Sequence, residues 1–256
     1  MTSSVTAASD SFNKFAELSR NGNFEEAEKV AKENDFEYHL NTVRAGHNEN
    51  GLKSTSGSVS AQHYYKKPSS TGSGEVSLIT GKDGREMWVT LYWDLYYNTS
   101  PYDFDGQMPK DACVIAWEDS QWGLVGLDTV ISWSEVYAAA DKIESKKLPV
   151  EMQGGGLIGE QNNALGFTVI DWLKDRSGDI LLTDRCEGAV QAKLRKQNYP
   201  ERQPGRIETL YEHTWSIGSL AGWNFLENVS ISPTGTVSVS VPIGADSWEE
   251  QDDYSA

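Results

Sequence analysis

Four histidines, two cysteines and 38 carboxylates are the reactive side chains of this 256-residue chain. Three of the histidines, His39, His47 and His63, lie early in the chain, and His213 stands alone late in it. Cys113 or Cys186 with His213 would supply a thiol and a base, but a nucleophile needs its base within hydrogen-bond reach, and no spacing here brings them together. Two structural thiols and a strand histidine account for the same residues. No Gly-x-Ser-x-Gly, His-Glu-x-x-His, Gly-x-x-x-x-Gly-Lys-Ser/Thr or helix-opening Gly-x-Gly-x-x-Gly occurs. The common hydrolase, metalloprotease and nucleotide-binding signatures are therefore missing, and no catalytic residue is assigned.

Candidate carboxylate pairs are Asp103 with Asp105, Glu118 with Asp119, and Asp171 with Asp184. A glycoside hydrolase needs two acids facing one another across a cleft, one of them with a raised pKa. A chain with 38 acids produces sequence neighbours by composition alone. Tyr102-Asp-Phe-Asp-Gly offers hard oxygen ligands for calcium but lacks the third acidic position of the EF-hand loop, so it reads as a solvated turn. Gly154-Gly155-Gly156-Leu-Ile-Gly159 is followed by a strand pattern, the wrong context for a phosphate cradle, and reads as a flexible loop. No metal site and no cofactor are expected.

Aromatic residues carry the positive signal. Between Glu86 and Tyr97 the odd positions Met87, Val89, Leu91, Trp93, Leu95 and Tyr97 are apolar, while Trp88, Thr90, Tyr92, Asp94 and Tyr96 alternate with them. Period-two alternation is that of a strand buried on one side. Its other side suits a wet stacking surface, and Trp88, Tyr92, Tyr96, Tyr102 and Trp122 are the candidate contact residues. The competing account places the same rings in the interior, packed beneath other elements.

Those residues have to be held by a mainly β framework. Phe12, Phe15 and Leu18, after a candidate cap at Ser11, and then Phe24, Ala27, Val30 and Ala31 recur at helical spacing around Asn21-Gly22, which predicts a helical hairpin. From Gly46 to Gly74 the chain is rich in Ser, Thr, Gly and Asn, which places a boundary near residue 48. Beyond it, strands are predicted at 75–80 and 86–97 around Gly-Lys-Asp-Gly, at 112–117, 165–173, 179–183, 189–195 and 206–217, and at 229–232 and 237–241 around Pro-Thr-Gly. Ala112–Trp117 is apolar on both sides and reads as central, whereas Gln191, Lys193 and Arg195 give their strand one wet face. Helix and strand patterns compete over Ser134–Ser145, where Val136, Tyr137, Ala140 and Ile143 share a helical stripe.

The expected architecture is an antiparallel β-sandwich or barrel-like domain over 48–248, preceded by a helical hairpin over 1–47 and followed by an acidic disordered tail over 249–256. A chain of this length buries a core without covalent staples, and Cys113 and Cys186 read as separate thiols. Net charge is −16, which disfavours nucleic acid and anionic lipid as main partners. The acid surplus is also that of salt-adapted proteins, although 14 Lys against 8 Arg runs against an extreme case. The first ten residues have neither a basic nor an apolar signal region, no stretch approaches the roughly 18 apolar residues of a membrane span, and sequons stand at Asn98 and Asn228. The chain as written thus reads as neither signal-led nor anchored, with an exterior life open to it.

The function expected on these grounds is binding or assembly through an aromatic face, with a glycan or protein ligand. Two alternatives stand beside it: a membrane-active, pore-forming-like protein whose hairpin detaches, against which the four Glu of the second helix weigh, and a carboxylate-dependent glycoside hydrolase.

Overall fold

The computed structural model describes residues 2–45, 73–96, 111–138, 145–148, 150–158, 162–171, 173–174, 180–181, 183–197, 205–215, 229–239 and 246–255. Among these residues, two α-helices, α1 (Thr2–Arg20) and α2 (Phe24–Glu33), precede sixteen strands arranged in antiparallel sheets. α1 starts well before the cap expected at Ser11. It stops where Gly22 adopts φ +72° and the Asn23 N–H donates back to the Leu18 carbonyl. Glu25 and Glu26 occupy the first turn of α2, where the helix dipole favours carboxylates.

The larger sheet contains β1 (Glu37–Ala45), β2 (Ser73–Asp83), β3 (Glu86–Tyr96), β5 (Trp122–Leu124), β6 (Ile131–Ala138), β7 (Ser145–Leu148) and β12 (Thr183–Lys196). Its order is β1-β2-β3-β12-β6-β7, with β5 also paired to β12. The smaller sheet contains β4 (Asp111–Trp117), β8 (Glu151–Ile158), β9 (Ala164–Val169), β13 (Arg206–Trp215) and β16 (Asp246–Ser255), in the order β16-β13-β4-β9-β8. Two small hairpins complete it, β10 (Leu173–Lys174) with β11 (Ile180–Leu181) and β14 (Val229–Ile231) with β15 (Val237–Val239). Asp83 pairs with Glu86, leaving Gly84-Arg85 as a two-residue loop. Gly84 sits at φ +59°, the left-handed conformation that a type II′ hairpin turn asks of its first residue.

The two sheets face each other across one core. Met87, Val89, Leu91, Trp93 and Leu95, the odd set of β3, meet Cys113, Ile115 and Trp117 of β4, with Phe167 of β9 and Tyr211 of β13 among their neighbours. The rings of Trp93 and Tyr211 approach to 5.2 Å between the sheets. Each outer face has its own cover. The helical hairpin lays Phe12, Phe15, Ala27, Val30 and Ala31 on Ile79, Trp88, Tyr92 and Ala189. The β14–β15 hairpin lays Ile231 and Val237 on Ala112, Val114 and Ala116. β4 is apolar on both sides because both sides of its sheet are covered. Burying each large apolar side chain contributes about 1.5–3 kcal/mol, so a layer lost from either outer face would be costly.

Several expectations are corrected here. Between the helix and strand patterns that compete over Ser134–Ser145, the described part is strand: Ile131–Ala138 is paired on both sides, to β12 and β7. Local apolar spacing suits either form, and two waiting strand edges decide it. The boundary near 48 falls between paired strands, since β1 joins β2 in an unbroken register from Glu37↔Lys82 to Ala45↔Gly74. The acidic end is no free tail. Residues 246–255 pair with β13 from Trp215↔Asp246 to Arg206↔Ser255, because backbone hydrogen bonding tolerates almost any sequence and charge on an edge strand guards it against further pairing. Gly154, Gly155 and Gly156 of the glycine run lie within β8, an edge strand whose register shifts between Met152 and Leu157, and not in an open loop, while Gly159 is outside the described residues. The wet face expected for Gln191 is dry, because α1 covers it: Gln191 Nε2 donates to the Ala16 carbonyl at 2.7 Å and to Thr90 Oγ1 at 2.7 Å.

Candidate functional site

The outer face of the larger sheet can be followed row by row from the strand register. One row runs Tyr38–Gly81–Trp88–Lys193, the next Leu40–Ile79–Thr90–Gln191–Ile131, and the next Thr42–Ser77–Tyr92–Ala189–Trp133. These rows carry the helical hairpin. Trp88 and Tyr92 are each only 7% exposed, and Trp133 Nε1 donates to the Arg20 carbonyl at 3.1 Å, tying the end of α1 to β6. The α1–α2 turn rests on Tyr92, whose hydroxyl would lie 2.8 Å from a carbon added at Gly22, and Phe24 meets the Tyr92 ring edge-on at 5.3 Å. Tyr92 therefore marks where the cover ends.

Beyond it the described side chains of this face are partly exposed. The next row places Glu75, Asp94, Glu187 and Glu135 on four adjacent strands, with Lys147 following on β7. The row after that is Tyr96–Arg185–Tyr137. The Arg185 guanidinium carbon lies 5.2 Å from the Tyr96 ring centre and 5.1 Å from that of Tyr137, stacked between the two rings. Asp94 takes it in a fork, Nε to Oδ1 at 2.6 Å and Nη2 to Oδ2 at 2.9 Å, and Glu187 Oε2 stands 3.0 Å from Nη2. The Tyr92 hydroxyl donates to the other Glu187 oxygen at 2.6 Å, and Tyr96 donates to Asp94 Oδ2 at 3.2 Å. Six residues on three strands, Tyr92, Asp94, Tyr96, Tyr137, Arg185 and Glu187, thus form one connected polar and aromatic network.

The electrostatics follow from these contacts. Hydrogen bonding to Asp94 raises the Arg185 pKa against the opposing effect of burial, so the guanidinium stays charged. Burial first, and then the Glu187 carboxylate, push the Tyr92 phenol far up. Tyr96 is raised by burial and by Asp94, and Tyr137 by burial and by Glu135. All three phenols keep their protons at neutral pH and remain able to donate. The surface offers ring edges, hydroxyl donors and carboxylate acceptors within a few ångströms of one another.

The structure separates the five candidate contact residues. Trp88 and Tyr92 are under the hairpin, so the expected open face of Trp88, Tyr92 and Tyr96 is reduced to its last member: Tyr96 is 45% exposed. Trp122 is fully buried in the inter-sheet core, and Tyr102 lies outside the described residues. Of the carboxylate pairs, Glu118 closes its own turn by accepting from Ser120 Oγ at 2.8 Å and from the Arg206 N–H at 3.3 Å, while Asp171 is buried. Asp103 and Asp105, with the candidate calcium turn, are outside the described residues, as is the Ser/Thr-rich segment at 46–72. Cys113 and Cys186 are free thiols buried in the core. No group of three metal-binding side chains occurs among the described residues, and none of the described helices is long and apolar enough to cross a membrane.

Arg185, Glu187 and Tyr137 escaped the sequence reading. The signal for the first two was present: Arg185, Glu187 and Ala189 alternate with Cys186, Gly188 and Val190, which extends the strand predicted from Ala189 back to Thr183. Tyr137 was obscured by the helical stripe.

No protein-family model matches this chain, and no curated protein matches it. A solved structure described as a pore forming protein is similar over 85% of this chain and 91% of its own, at 9% sequence identity and a TM-score of 0.33. A likeness at that level carries no argument about what this chain does.

Proposed function

We propose that this protein acts by binding a polyhydroxylated ligand, a glycan, at the uncovered end of the larger sheet's outer face. The observation that carries this reading is the Tyr96–Arg185–Tyr137 stack, braced by Asp94 and Glu187 and left open on the Tyr96 side. A sugar presents flat C–H surfaces and paired hydroxyls. An exposed tyrosine ring receives the former, while carboxylates and a fixed guanidinium accept from and donate to the latter. Because Arg185 is held by a two-toothed ion pair and two rings, few rotamers remain to be frozen when a ligand arrives.

The test is binding to an array of mono- and oligosaccharides by wild type, Tyr96→Ala and Tyr137→Ala, with thermal melts to establish that each variant is folded. A saccharide retained by wild type and weakened roughly tenfold or more in both variants supports the reading. Retention of nothing, or equal retention by folded variants, overturns it; capture of a protein in place of any saccharide would move the same surface to the protein-ligand class.

A further inference from the structure

At the other end of β12 lies a second surface with different chemistry. Arg195 is ten positions from Arg185 on the same strand, roughly 33 Å away at the usual rise per residue. There, an open cavity of about 550 Å³ is lined by Arg85, Arg195, Lys196 and Gln197 on its polar side and by Gly123, Leu124 and Val125 on the other. Among the described residues, three cations and no carboxylate line it, in a chain whose net charge is −16. We propose that this cavity is a binding site for a phosphomonoester.

Three separate segments are clamped together to make it. The Lys196 N–H donates to the Arg85 carbonyl at 2.8 Å, locking the β2–β3 turn against the end of β12. The Gln197 N–H donates to the Gln121 carbonyl at 2.8 Å, and the Val125 N–H to the Lys193 carbonyl at 2.9 Å, so the β5 segment forms the opposite wall. Lys196 is fixed with its ammonium 5.4 Å from the centre of the Trp122 ring. Glu86 draws Arg195 Nη2 toward it and also pairs with Lys193, which sets the direction of the guanidinium while leaving its remaining N–H groups to a ligand. A carbon added at Gly123 would come within 2.6 Å of Gln197 Nε2, so glycine keeps that side chain seated at the edge of the cavity.

The ligand class follows from charge and shape. Arginine forks match the oxygens of a phosphate, and a phosphomonoester is mostly a dianion at neutral pH, the charge that converging cations favour. Its organic substituent has Leu124 and Val125 to rest on. Two residues past Val125 along the chain, Leu127 is 46% exposed, a further apolar side chain on the same segment. The phosphomonoester could therefore be a small soluble molecule or the headgroup of a lipid.

Calorimetric titration of the full chain with phenyl phosphate, with phenol as the uncharged control, tests the proposal at low ionic strength, where screening is weakest. Saturable binding of phenyl phosphate and none of phenol is expected, weakened about tenfold in Arg85→Gln and further in Arg85→Gln with Arg195→Gln. Arg85 is exposed on its turn and the Arg195 side chain is 59% exposed, so both variants should remain folded, losing only the small contribution of exposed pairs such as Arg195–Glu86. Sedimentation with phosphatidylcholine vesicles, with and without phosphatidic acid, separates the two sources: retention only with phosphatidic acid that is lost in the double variant assigns the lipid, and titration without retention assigns a soluble molecule. No saturable titration by wild type, or equal titration by folded variants, overturns the proposal whatever becomes of the tyrosine–arginine surface.

Discussion

Gly81 and Phe15 occupy adjoining space so tightly that a carbon added to Gly81 would lie 2.1 Å from Phe15 Cε1. Phe15 is fully buried, and the ring reaches the sheet only because β2 offers no side chain at that point. This contact lets the helical hairpin seat over Trp88 and Tyr92.

Gly81→Ala is expected to lower stability by about 1–3 kcal/mol through overpacking. Phe15→Ala costs about 3–5 kcal/mol by itself. Once the ring is gone, the added methyl should cost much less, so the double variant should be more stable than the sum of the two changes. Urea denaturation of the four proteins measures this; additive losses would mean that the two residues do not meet.

Tyr92→Phe removes the hydroxyl that donates to Glu187 at 2.6 Å. A loss of about 1–2 kcal/mol is expected at neutral pH. The Tyr92 pKa is raised above its ordinary value of 10.0 by burial and then by Glu187, so the advantage of wild type over Tyr92→Phe is complete below pH 10 and shrinks as pH rises above it. Denaturation at neutral pH and at two alkaline pH values checks the sign, since an advantage that grew with pH would contradict the assigned contact.

Glu86 behaves in the opposite sense. Burial alone would raise its pKa, but hydrogen bonds and charges from Lys193 and Arg195 hold it below the ordinary 4.5. A lowered carboxylate contributes stability above its unfolded pKa and loses it as pH falls through the folded one. Glu86→Gln should accordingly be somewhat less stable than wild type at pH 7, with the difference fading below about pH 4.5 and shrinking in high salt, as expected of partly exposed pairs. A difference that persisted unchanged at pH 3 would rule out the ion pairs as its source.

Cys113 and Cys186 are buried in the inter-sheet core, where burial, followed by Asp111 for one and Asp171 for the other, holds both thiols above their usual pKa. Protonated and inaccessible thiols react slowly. In native protein neither should react with an aromatic disulfide reagent at pH 8, and both should react in guanidinium. Rapid labelling without unfolding would show that the core opens locally.

Period-two alternation from Met87 to Leu95 was sufficient to recognise a long strand with one core-facing side, and the apolar character of both sides of Ala112–Trp117 was sufficient to place it centrally. Helical spacing around Asn21-Gly22 likewise specified the hairpin, because glycine punctuation and apolar stripes act within a few residues and are written locally, whereas the cap expected at Ser11 is not where α1 begins. Helix against strand over Ile131–Ala138 could not be decided in that way, since its apolar positions fit either period and the outcome rests on the β12 and β7 edges. The same holds for the acidic end, where β13 accepts the backbone of residues 246–255 regardless of side-chain charge. The candidate site shows the same division most sharply. Trp88, Tyr92 and Tyr96 share a strand face by alternation alone, but the hairpin reaches Tyr92 and goes no further, so Tyr96 stays open and gains Arg185 and Tyr137 as neighbours. Residues 96, 137 and 185 meet only through strand pairing, and the pairing energy of a backbone ladder carries almost no record of which side chains it will bring together.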